Sequence, residues 1–356
     1  MNPQERTFLR DIERMPNGEG RFGYMRLDKN EHLDMVSGKV LREYKKQLSR
    51  EIVSIYPEIE AIREKVAGYV GVPSQQVILS HGSDASIKQV FDVFARENSE
   101  VVLLKPTYAM YQIYAKMFGA KVRWIECDNN FVVDKQMFFD SIDKNVSIVA
   151  IANPNSPTGS EFDTDFILKC LKKCQDLGVL MLVDEAYFPF SKETIISYVS
   201  DQDNLIVTRT FSKAFGLGGC RAGFMAVSKN IEKSIKKARP MYEINALSSL
   251  FIKICIENMP DVGRYIKRLE KGKTYLVKEC RKLGLNPFPI NTNFINIRLP
   301  DNIDPGKLED YGKEHKILFK GRLGAGAFTN CIRVTLGPKE KMVEFIKLIK
   351  EFVENE

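Results

Sequence analysis

One lysine, Lys213, lies in the segment TRTFSKAFGLGGCRAGF, which covers Thr208–Phe224 and contains no acidic residue. Other lysines of the chain occur in charged patterns such as KKAR, whereas the neighbours of Lys213 are small, apolar or hydroxyl-bearing. A lysine that is kept from carboxylates and partly removed from water has a lowered pKa, so it can act as a nucleophile and then carry a proton. A solvated lysine in a glycine-rich turn is the alternative that this segment alone leaves open.

Three other segments place ligand-binding groups where a strand is expected to end. In SHGSDAS, Gly82, Ser83 and Asp84 open a helix, and a helix N-terminus attracts phosphate. ANPNSPTG is a rigid turn whose side-chain amides could bind a ring substituent. VDEAY ends a hydrophobic run with Asp184, a carboxylate that is costly to bury unless it is paired. Taken singly, the first two segments could be an ordinary helix cap and an ordinary turn.

Pyridoxal phosphate (PLP) chemistry would use all four segments. This cofactor needs a lysine for a Schiff base, a carboxylate on its pyridine nitrogen, a phosphate seat and an aromatic ring to stack on. Lys213 and Asp184 supply the first two, and Arg221 offers a bidentate grip on the phosphate. The four segments together therefore indicate a PLP site.

The elements that must position these groups alternate between strand and helix. Apolar, β-branched runs are predicted to be strands, and amphipathic runs between them helices; the strand runs are QVILS, EVVLLKP, KVRWIEC, VSIVAIANP, VLMLVDEAY and NLIVTRT. Their nearly continuous hydrophobicity predicts a mainly parallel sheet buried on both faces, with active-site groups at the carboxyl ends of its strands. From about Ser228, a long helical region and later strand-like runs predict a smaller α+β domain. We expect a large domain at 45–240 and a small domain formed by 1–44 and 241–356.

The composition of the chain argues against several classes of protein. The 356 residues include 53 basic and 46 acidic ones, and this interleaved charge argues against a nucleic-acid-binding surface. We expect no membrane segment, because no apolar run approaches the length of a membrane helix, and no secretory signal is visible at the N-terminus. The seven scattered cysteines favour a reduced, cytoplasmic protein, and three distant histidines make a histidine-rich metal site improbable.

Several motifs, in order, give the chain a family resemblance. NPNSPTG, VDEAYFPF, SKAFGLGGCRAGF and CIRVTLG resemble the class I and II aminotransferases of PLP fold type I, and in particular the histidinol-phosphate aminotransferase group, with its related threonine-phosphate decarboxylases. The resemblance runs from RLDKNE, at Arg26, to about Gly337. It implies an α/β fold: a large PLP-binding domain with a mainly parallel seven-stranded sheet between helices, plus a smaller α+β domain.

Carried over residue by residue, the resemblance implies roles for individual side chains. Lys213 forms the Schiff base with PLP, Asp184 pairs with the pyridine nitrogen, and Tyr187 donates a hydrogen bond to the phenolic oxygen. The other implied positions are Gly82, Ser83, Asp84, Thr210, Ser212 and Arg221 around the phosphate, Tyr108 on the ring, Tyr56 reaching the cofactor of a second subunit in a homodimer, Arg333 on the substrate α-carboxylate, and Tyr24 in the pocket wall.

Two positions depart from the family pattern. Ser156 stands where the family has an asparagine that contacts the phenolic oxygen, and we expect the neighbouring Asn155 to compensate. In ILFKGR, Lys320 stands where the group tends to have an arginine for the substrate phosphate, with Arg322 two residues on. Lysine is a compact point charge and not a planar fork, which argues against histidinol phosphate itself. A phosphorylated substrate is still expected, with Lys320 or Arg322 as its anchor.

Four functions compete on this evidence. The leading prediction is an aminotransferase for a small phosphorylated amine, ketone or amino acid, with glutamate as a possible amino donor. Arg333 would hold a carboxylate so that the Cα–H bond faces Lys213, which favours transamination. The alternatives are a PLP decarboxylase of a phosphorylated amino acid, a non-catalytic protein of the same fold, and a nicotinamide dehydrogenase. The last lacks a GxGxxG motif after a first strand.

Overall fold

The computed structural model describes residues 6–10, 12–13, 20–288, 290–324 and 326–355. The strands are Met25–Arg26 (β1), Val77–Ser80 (β2), Glu100–Lys105 (β3), Lys121–Glu126 (β4), Val146–Ala152 (β5), Leu180–Asp184 (β6), Leu205–Thr210 (β7), Gly223–Val227 (β8), Asn286–Pro287 (β9), Phe294–Arg298 (β10), Ile317–Leu318 (β11) and Cys331–Thr335 (β12). The helices are Gly38–Gln47 (α1), Arg50–Ser54 (α2), Glu60–Val70 (α3), Ser83–Phe94 (α4), Ala109–Met117 (α5), Lys135–Asp140 (α6), Thr164–Leu177 (α7), Lys229–Ile235 (α8), Ala246–Glu257 (α9), Met259–Lys282 (α10), Pro305–Glu314 (α11) and Lys339–Asn355 (α12).

A seven-stranded sheet organises the larger part of the chain. Its strand order is β2-β8-β7-β6-β5-β3-β4, and all neighbours are parallel except β8, which runs antiparallel to β2 and to β7. Strand β5 is buried at all seven positions, as expected for a strand with helices on both faces. The predicted mainly parallel α/β sheet is confirmed.

Two hydrophobic clusters cover the two faces of this sheet. Successive residues of β3, Val101 and Val102, belong to different clusters, because side chains of a strand alternate between faces. On one face Val102 packs with residues of α3, α7 and α9, such as Leu171. On the other face Val101 packs with residues of α4, α5 and α8, such as Phe91. The sheet is therefore the middle layer of three, and its edge at the strand ends stays accessible.

A smaller α+β part follows along the chain. Strands β12, β10 and β9 form an antiparallel sheet, and helices α10 and α12 pack on it through residues such as Leu269 and Phe345. Strand β1 pairs in parallel with β11, which ties the segment after residue 20 to this part. The domain boundaries at 45–240, and at 1–44 with 241–356, stay a prediction. Their residues 1–5, 11, 14–19, 289, 325 and 356 lie outside the described residues.

The structure differs from the sequence pattern in two elements. Strand β8 was not recognised from the residues, because its run AGFMAV follows the glycine-rich segment directly. The long helical region after Ser228 forms three helices, α8, α9 and α10. Asn245 caps α9 by accepting a hydrogen bond from the Ser248 N–H, and Pro260 lies in the first turn of α10. None of the helices formed by the described residues combines the length and apolar character that a membrane span needs.

Candidate active site

The register of the sheet brings the ends of five strands to one place. Ala152, Asp184 and Thr208 are neighbours across β5, β6 and β7, and Thr210 and Ser80 both pair with Gly223 of β8. The segments that follow these strands enclose a cavity of about 350 Å³. Its lining residues are Asp28, Lys29, Asn30, Ser83, Asp84, Tyr108, Ala152, Ser156, Asp184, Ala186, Tyr187, Thr210, Ser212, Lys213, Arg221, Lys320 and Arg333.

Lys213 lies at this cavity, three residues beyond the end of β7. Its Nζ donates a hydrogen bond to the carbonyl oxygen of Lys29, at 3.0 Å. Burial, together with the smaller effect of the nearby Arg333 guanidinium, lowers the pKa of Lys213 to about 8. The cavity admits small molecules to the amine although protein atoms surround it. A substantial neutral fraction near pH 8 makes this amine a nucleophile.

Asp184 is a buried carboxylate whose contacts with the described residues are to neutral groups. Its Oδ1 accepts a hydrogen bond from the Thr208 hydroxyl at 2.8 Å, and its Oδ2 accepts one from the Tyr111 hydroxyl at 3.0 Å. Burial raises the pKa of Asp184 to about 6, which these two hydrogen bonds partly offset. The adjacent Glu185 differs, because Arg209 pairs with it at 2.7 Å. Asp184 therefore still needs a positive partner from the cavity.

Neither Tyr111 nor Thr208 was expected at the site. Tyr111 is one helical turn beyond Tyr108, and Thr208 lies opposite Asp184 on the neighbouring strand. The i, i+3 spacing in PTYAMY is the one signal in the sequence that could have indicated Tyr111.

An anion seat forms where α4 begins. Gly82 precedes α4 with φ of 81° and offers no side-chain cap, so the first N–H groups of the helix remain available. A Cβ atom on Gly82 would lie 2.9 Å from Nη2 of Arg221, and one on Gly223 would lie 2.5 Å from the Ser83 nitrogen. Glycine at these two positions thus lets the helix N-terminus and the guanidinium approach one another. Thr210 and Ser212 add hydroxyl groups to the same wall.

Tyr108 and Asp84 are held together beside this seat. The hydroxyls of Tyr108 and Tyr114 donate to Oδ1 of Asp84 at 3.1 Å and 2.9 Å. The Tyr108 ring lines the cavity and packs edge-on against Tyr111, with centroids 5.7 Å apart. Because the Asp84 carboxylate already accepts hydrogen bonds from two tyrosine hydroxyls, the group of Asp84 that suits a phosphate is its backbone N–H. The face of the Tyr108 ring can stack on a planar ligand.

Tyr187 is the next cavity residue, and its hydroxyl lies among polar partners. The Asn30 side-chain nitrogen donates to the Tyr187 oxygen at 2.8 Å, and the Ser156 hydroxyl also bonds to it. Asn155, which we expected here, points elsewhere: its amide nitrogen donates to the Pro106 carbonyl and the Thr158 hydroxyl. The expectation that Asn155 compensates for Ser156 is wrong in this geometry, because the turn directs Ser156 into the cavity and Asn155 into the protein.

Two cationic side chains lie next to each other on the cavity wall. Lys320 and Arg333 form an antiparallel bridge through two backbone hydrogen bonds of 3.1 Å and 2.7 Å, so both side chains lie on one face. In the described part of the chain neither has a carboxylate partner, and Arg333 donates one hydrogen bond to the Asp28 carbonyl oxygen at 3.2 Å. Burial lowers the pKa of Arg333.

Three predicted residues lie outside this chain's cavity. Arg322 is exposed and pairs with Asp310 and Glu309, both on α11, so it does not share the cavity wall with Lys320. Tyr24 lies elsewhere, with its hydroxyl 3.4 Å from the Lys316 nitrogen. Tyr56 is 74% exposed and stacks on an adjacent tyrosine ring. The expectations for Arg322 and Tyr24 as pocket groups are therefore not met in this arrangement.

The chemical groups that line this cavity fit PLP. Asp184 is a buried carboxylate without a cationic partner among the described residues, the start of α4 with Arg221 is an anion seat, and Lys213 is a nucleophilic amine. Two buried polar atoms at the cavity, Oδ1 of Asn30 and Nε of Arg333, have no hydrogen-bond partner among the described residues. Such atoms indicate a polar ligand.

Comparison with known proteins agrees with this geometry. Residues 23–349 match the family described as aminotransferase class I and II. The chain belongs to this family. Its members are PLP-dependent, so the chain is a PLP-dependent aminotransferase, as the motifs predicted, and the dehydrogenase and the non-catalytic alternatives are set aside.

Several members of the family resemble the whole chain. A histidinol-phosphate aminotransferase of Pyrococcus furiosus is 32% identical over 92% of both chains, and one of Clostridium novyi is 28% identical over 97% of both. The crystal structure of histidinol-phosphate aminotransferase from Sinorhizobium meliloti with PLP superposes with a TM-score of 0.83 at 19% identity, covering 92% of this chain and 91% of that one. An L-threonine-O-3-phosphate decarboxylase from Porphyromonas gingivalis gives 0.78 at 20% identity, covering 93% and 99%. At such identities the two structures show a shared fold alone.

Proposed function

We propose that this aminotransferase transfers an amino group to and from a small phosphorylated substrate of the histidinol phosphate kind. The observation that carries the proposal is the pair of cations, Lys320 and Arg333, side by side on the cavity wall without a carboxylate partner in the described part of the chain. A phosphate or carboxylate in the cavity would supply the missing negative charge. The names of the relatives support the same class of substrate.

The chain's own residues divide the work in this proposal. PLP, when bound, supplies an electron acceptor for the substrate carbon. Lys213 would bond to the cofactor; once the substrate amine had taken its place, the freed Lys213 amine would take a proton from the substrate carbon and return it. Asp184 holds a positive charge on the pyridine nitrogen, which relieves the cost of its own burial. Ser83, Asp84, Thr210, Ser212 and Arg221, next to Gly82, hold the phosphate, and Tyr108 stacks on the ring.

The orientation of a substrate that carries an α-carboxylate, such as the amino donor, follows from Arg333. A guanidinium grips a carboxylate through two parallel hydrogen bonds, which fixes the plane of that group. With the carboxylate held at the wall, the Cα–H bond is the one left facing Lys213, so proton removal is favoured over loss of carbon dioxide. We propose glutamate as the amino donor because it carries an α-carboxylate for this arginine.

The surface around Tyr56 supports a homodimer with shared sites. Tyr56 stacks on Tyr242 with centroids 4.5 Å apart, and the adjoining Met241, Val53 and Ile55 are between 50% and 82% exposed. A contiguous apolar patch of this kind is typical of an interface. We propose that it is covered by a second copy and that Tyr56 reaches the cofactor phosphate there. All seven cysteines are free, which supports the cytoplasm as the compartment.

The test compares histidinol phosphate with histidinol as substrates for the wild type, Lys320→Ala and Arg322→Ala. A charge-assisted contact to phosphate contributes about 10- to 150-fold in kcat/KM, and Lys320→Ala should lose that factor for histidinol phosphate alone. Arg322→Ala is the matched control, since its charge is held by α11 outside the cavity. Equal losses for both substrates would refute the role of Lys320. A wild type that transfers amino groups with no phosphorylated amine or amino acid would refute the substrate class.

A further inference from the structure

Three consecutive residues of the N-terminal segment contact three of the site's key side chains. The carbonyl oxygen of Lys29 accepts from Lys213, that of Asp28 accepts from Arg333, and the side-chain nitrogen of Asn30 donates to Tyr187. The first two contacts use the backbone, so any residue could make them. The third contact is made by the side-chain amide of Asn30, so it depends on which residue type stands at this position.

The direction of the Asn30 bond constrains the Tyr187 hydroxyl. An amide nitrogen can only donate, so the Tyr187 oxygen accepts from Asn30 at 2.8 Å. The single proton of the hydroxyl must then point to another acceptor. The Ser156 contact acts to lower the pKa of Tyr187, as a donor to its oxygen does, so the acceptor that remains for this proton within the cavity is a bound ligand. We propose that Asn30 is a positioning residue that turns the Tyr187 proton toward the phenolic oxygen of the cofactor.

The surroundings of Asn30 hold its backbone in place. Its backbone N–H donates to the Thr335 hydroxyl at 3.0 Å, and its carbonyl oxygen accepts from the side chain of Asn293 at 2.9 Å. The residue is 4% exposed and has φ of 55°, in the left-handed region that asparagine, aspartate and glycine tolerate best. The side-chain amide is thus aimed at Tyr187 before any ligand binds.

This inference rests on the proposed role of Tyr187 as the donor to the phenolic oxygen. A donor to that oxygen stabilises the negative charge that remains once the bound chromophore has lost its proton, so the donor lowers the chromophore pKa. Losing the donor should raise that pKa. The shift is visible in a pH titration of the absorption spectrum, which requires no substrate and no turnover.

The experiment titrates the PLP-loaded wild type, Tyr187→Phe, Asn30→Gly and the double variant. Tyr187→Phe should raise the chromophore pKa by about one to two units, the equivalent of one charge-assisted hydrogen bond. Asn30→Gly should raise it by about half a unit or more, because the proton is no longer directed. In the Tyr187→Phe background, Asn30→Gly should add less than about 0.2 units, since Asn30 acts through Tyr187.

Two further variants serve as controls. Asn98→Gly makes the same change at an exposed asparagine with φ of 62°, far from the cavity lining, and should leave the pKa unchanged. Asn30→Asp keeps the shape and reverses the bond, because a carboxylate accepts the Tyr187 proton, but it also adds a negative charge; the part of its pKa shift that disappears in the Tyr187→Phe background is the part that acts through Tyr187. It replaces Asn30→Gly if the glycine variant does not fold.

The outcomes separate the two proposals. A shift in Tyr187→Phe without any shift in the Asn30 variants overturns the role of Asn30 and leaves the proposed function intact. Additive shifts in the double variant also overturn it, since Asn30 would then act independently of Tyr187. An unchanged pKa in Tyr187→Phe overturns the role of Tyr187 and the inference with it.

Discussion

Replacing Asp184 by asparagine should make the cofactor-free protein more stable at neutral pH, although the residue is central to the site. The carboxylate is 4% exposed, and its contacts among the described residues are the hydroxyls of Thr208 and Tyr111. Both hydroxyls can donate to or accept from an amide of the same shape. The substitution therefore removes the cost of a buried charge and keeps the hydrogen bonds.

The magnitude follows from the raised pKa. Burial moves the pKa of Asp184 from 3.8 to about 6. Each unit corresponds to about 1.4 kcal/mol, so ionising the folded protein costs at most about 3 kcal/mol above pH 7. A raised carboxyl pKa means that this cost is fully present above about pH 6 and is lost as the pH falls toward 3.8. We expect Asp184→Asn to gain about 1–3 kcal/mol at pH 7.5 and almost nothing at pH 4.

Urea unfolding of the apoprotein at several pH values measures this difference. Glu185→Gln is the matched control, because Glu185 is equally buried but pairs with Arg209 at 2.7 Å. Removing that partner leaves a buried cation and should cost about 3–5 kcal/mol. PLP, in contrast, should stabilise the wild type more than Asp184→Asn, because the variant lacks the charge that pairs with the ring. An apoprotein that Asp184→Asn destabilises as much as Glu185→Gln does would refute the reasoning.

Three other predictions address the amine, the carboxylate site and the dimer. Because burial lowers the pKa of Lys213 to about 8, the rate at which the apoenzyme attaches PLP should rise about tenfold from pH 7 to pH 9 and then level off; a continued rise to pH 10 would show an ordinary lysine. Arg333→Gln should lower kcat/KM for glutamate by about 10- to 150-fold without destabilising the apoprotein, since it removes an unpaired buried cation; an unchanged kcat/KM for glutamate would exclude the contact. Mixing inactive Lys213→Ala subunits with impaired Tyr56→Phe subunits should restore activity above that of either alone, and a strictly monomeric active enzyme would contradict this.

The sequence by itself determined the layered α/β fold and the location of the site. Continuous β-branched apolar runs such as VSIVAIA indicate strands covered on both faces, and alternation with helices indicates that these strands are parallel. Parallel strands end at one edge, so Asp184 and Lys213, which follow consecutive strands of the chain, had to meet there. The four segments together indicated PLP, and the resemblance of the motifs to a known family supported that prediction. The antiparallel strand β8 was not predicted, because a short run after glycines has no pattern that distinguishes a strand from a loop.

The tertiary structure decided which neighbouring side chain enters the cavity. Ser156 and Asn155 are adjacent, and Lys320 and Arg322 are separated by one glycine. In each pair only the first-named residue lines the cavity. The choice depends on the backbone angles of a turn and on competing partners such as Asp310 on α11, which local sequence does not encode. Asn30 reaches Tyr187 across 157 positions of the chain. Periodicity predicts the face of an element, whereas a hydrogen bond of 2.8 Å between distant segments depends on how the whole fold packs.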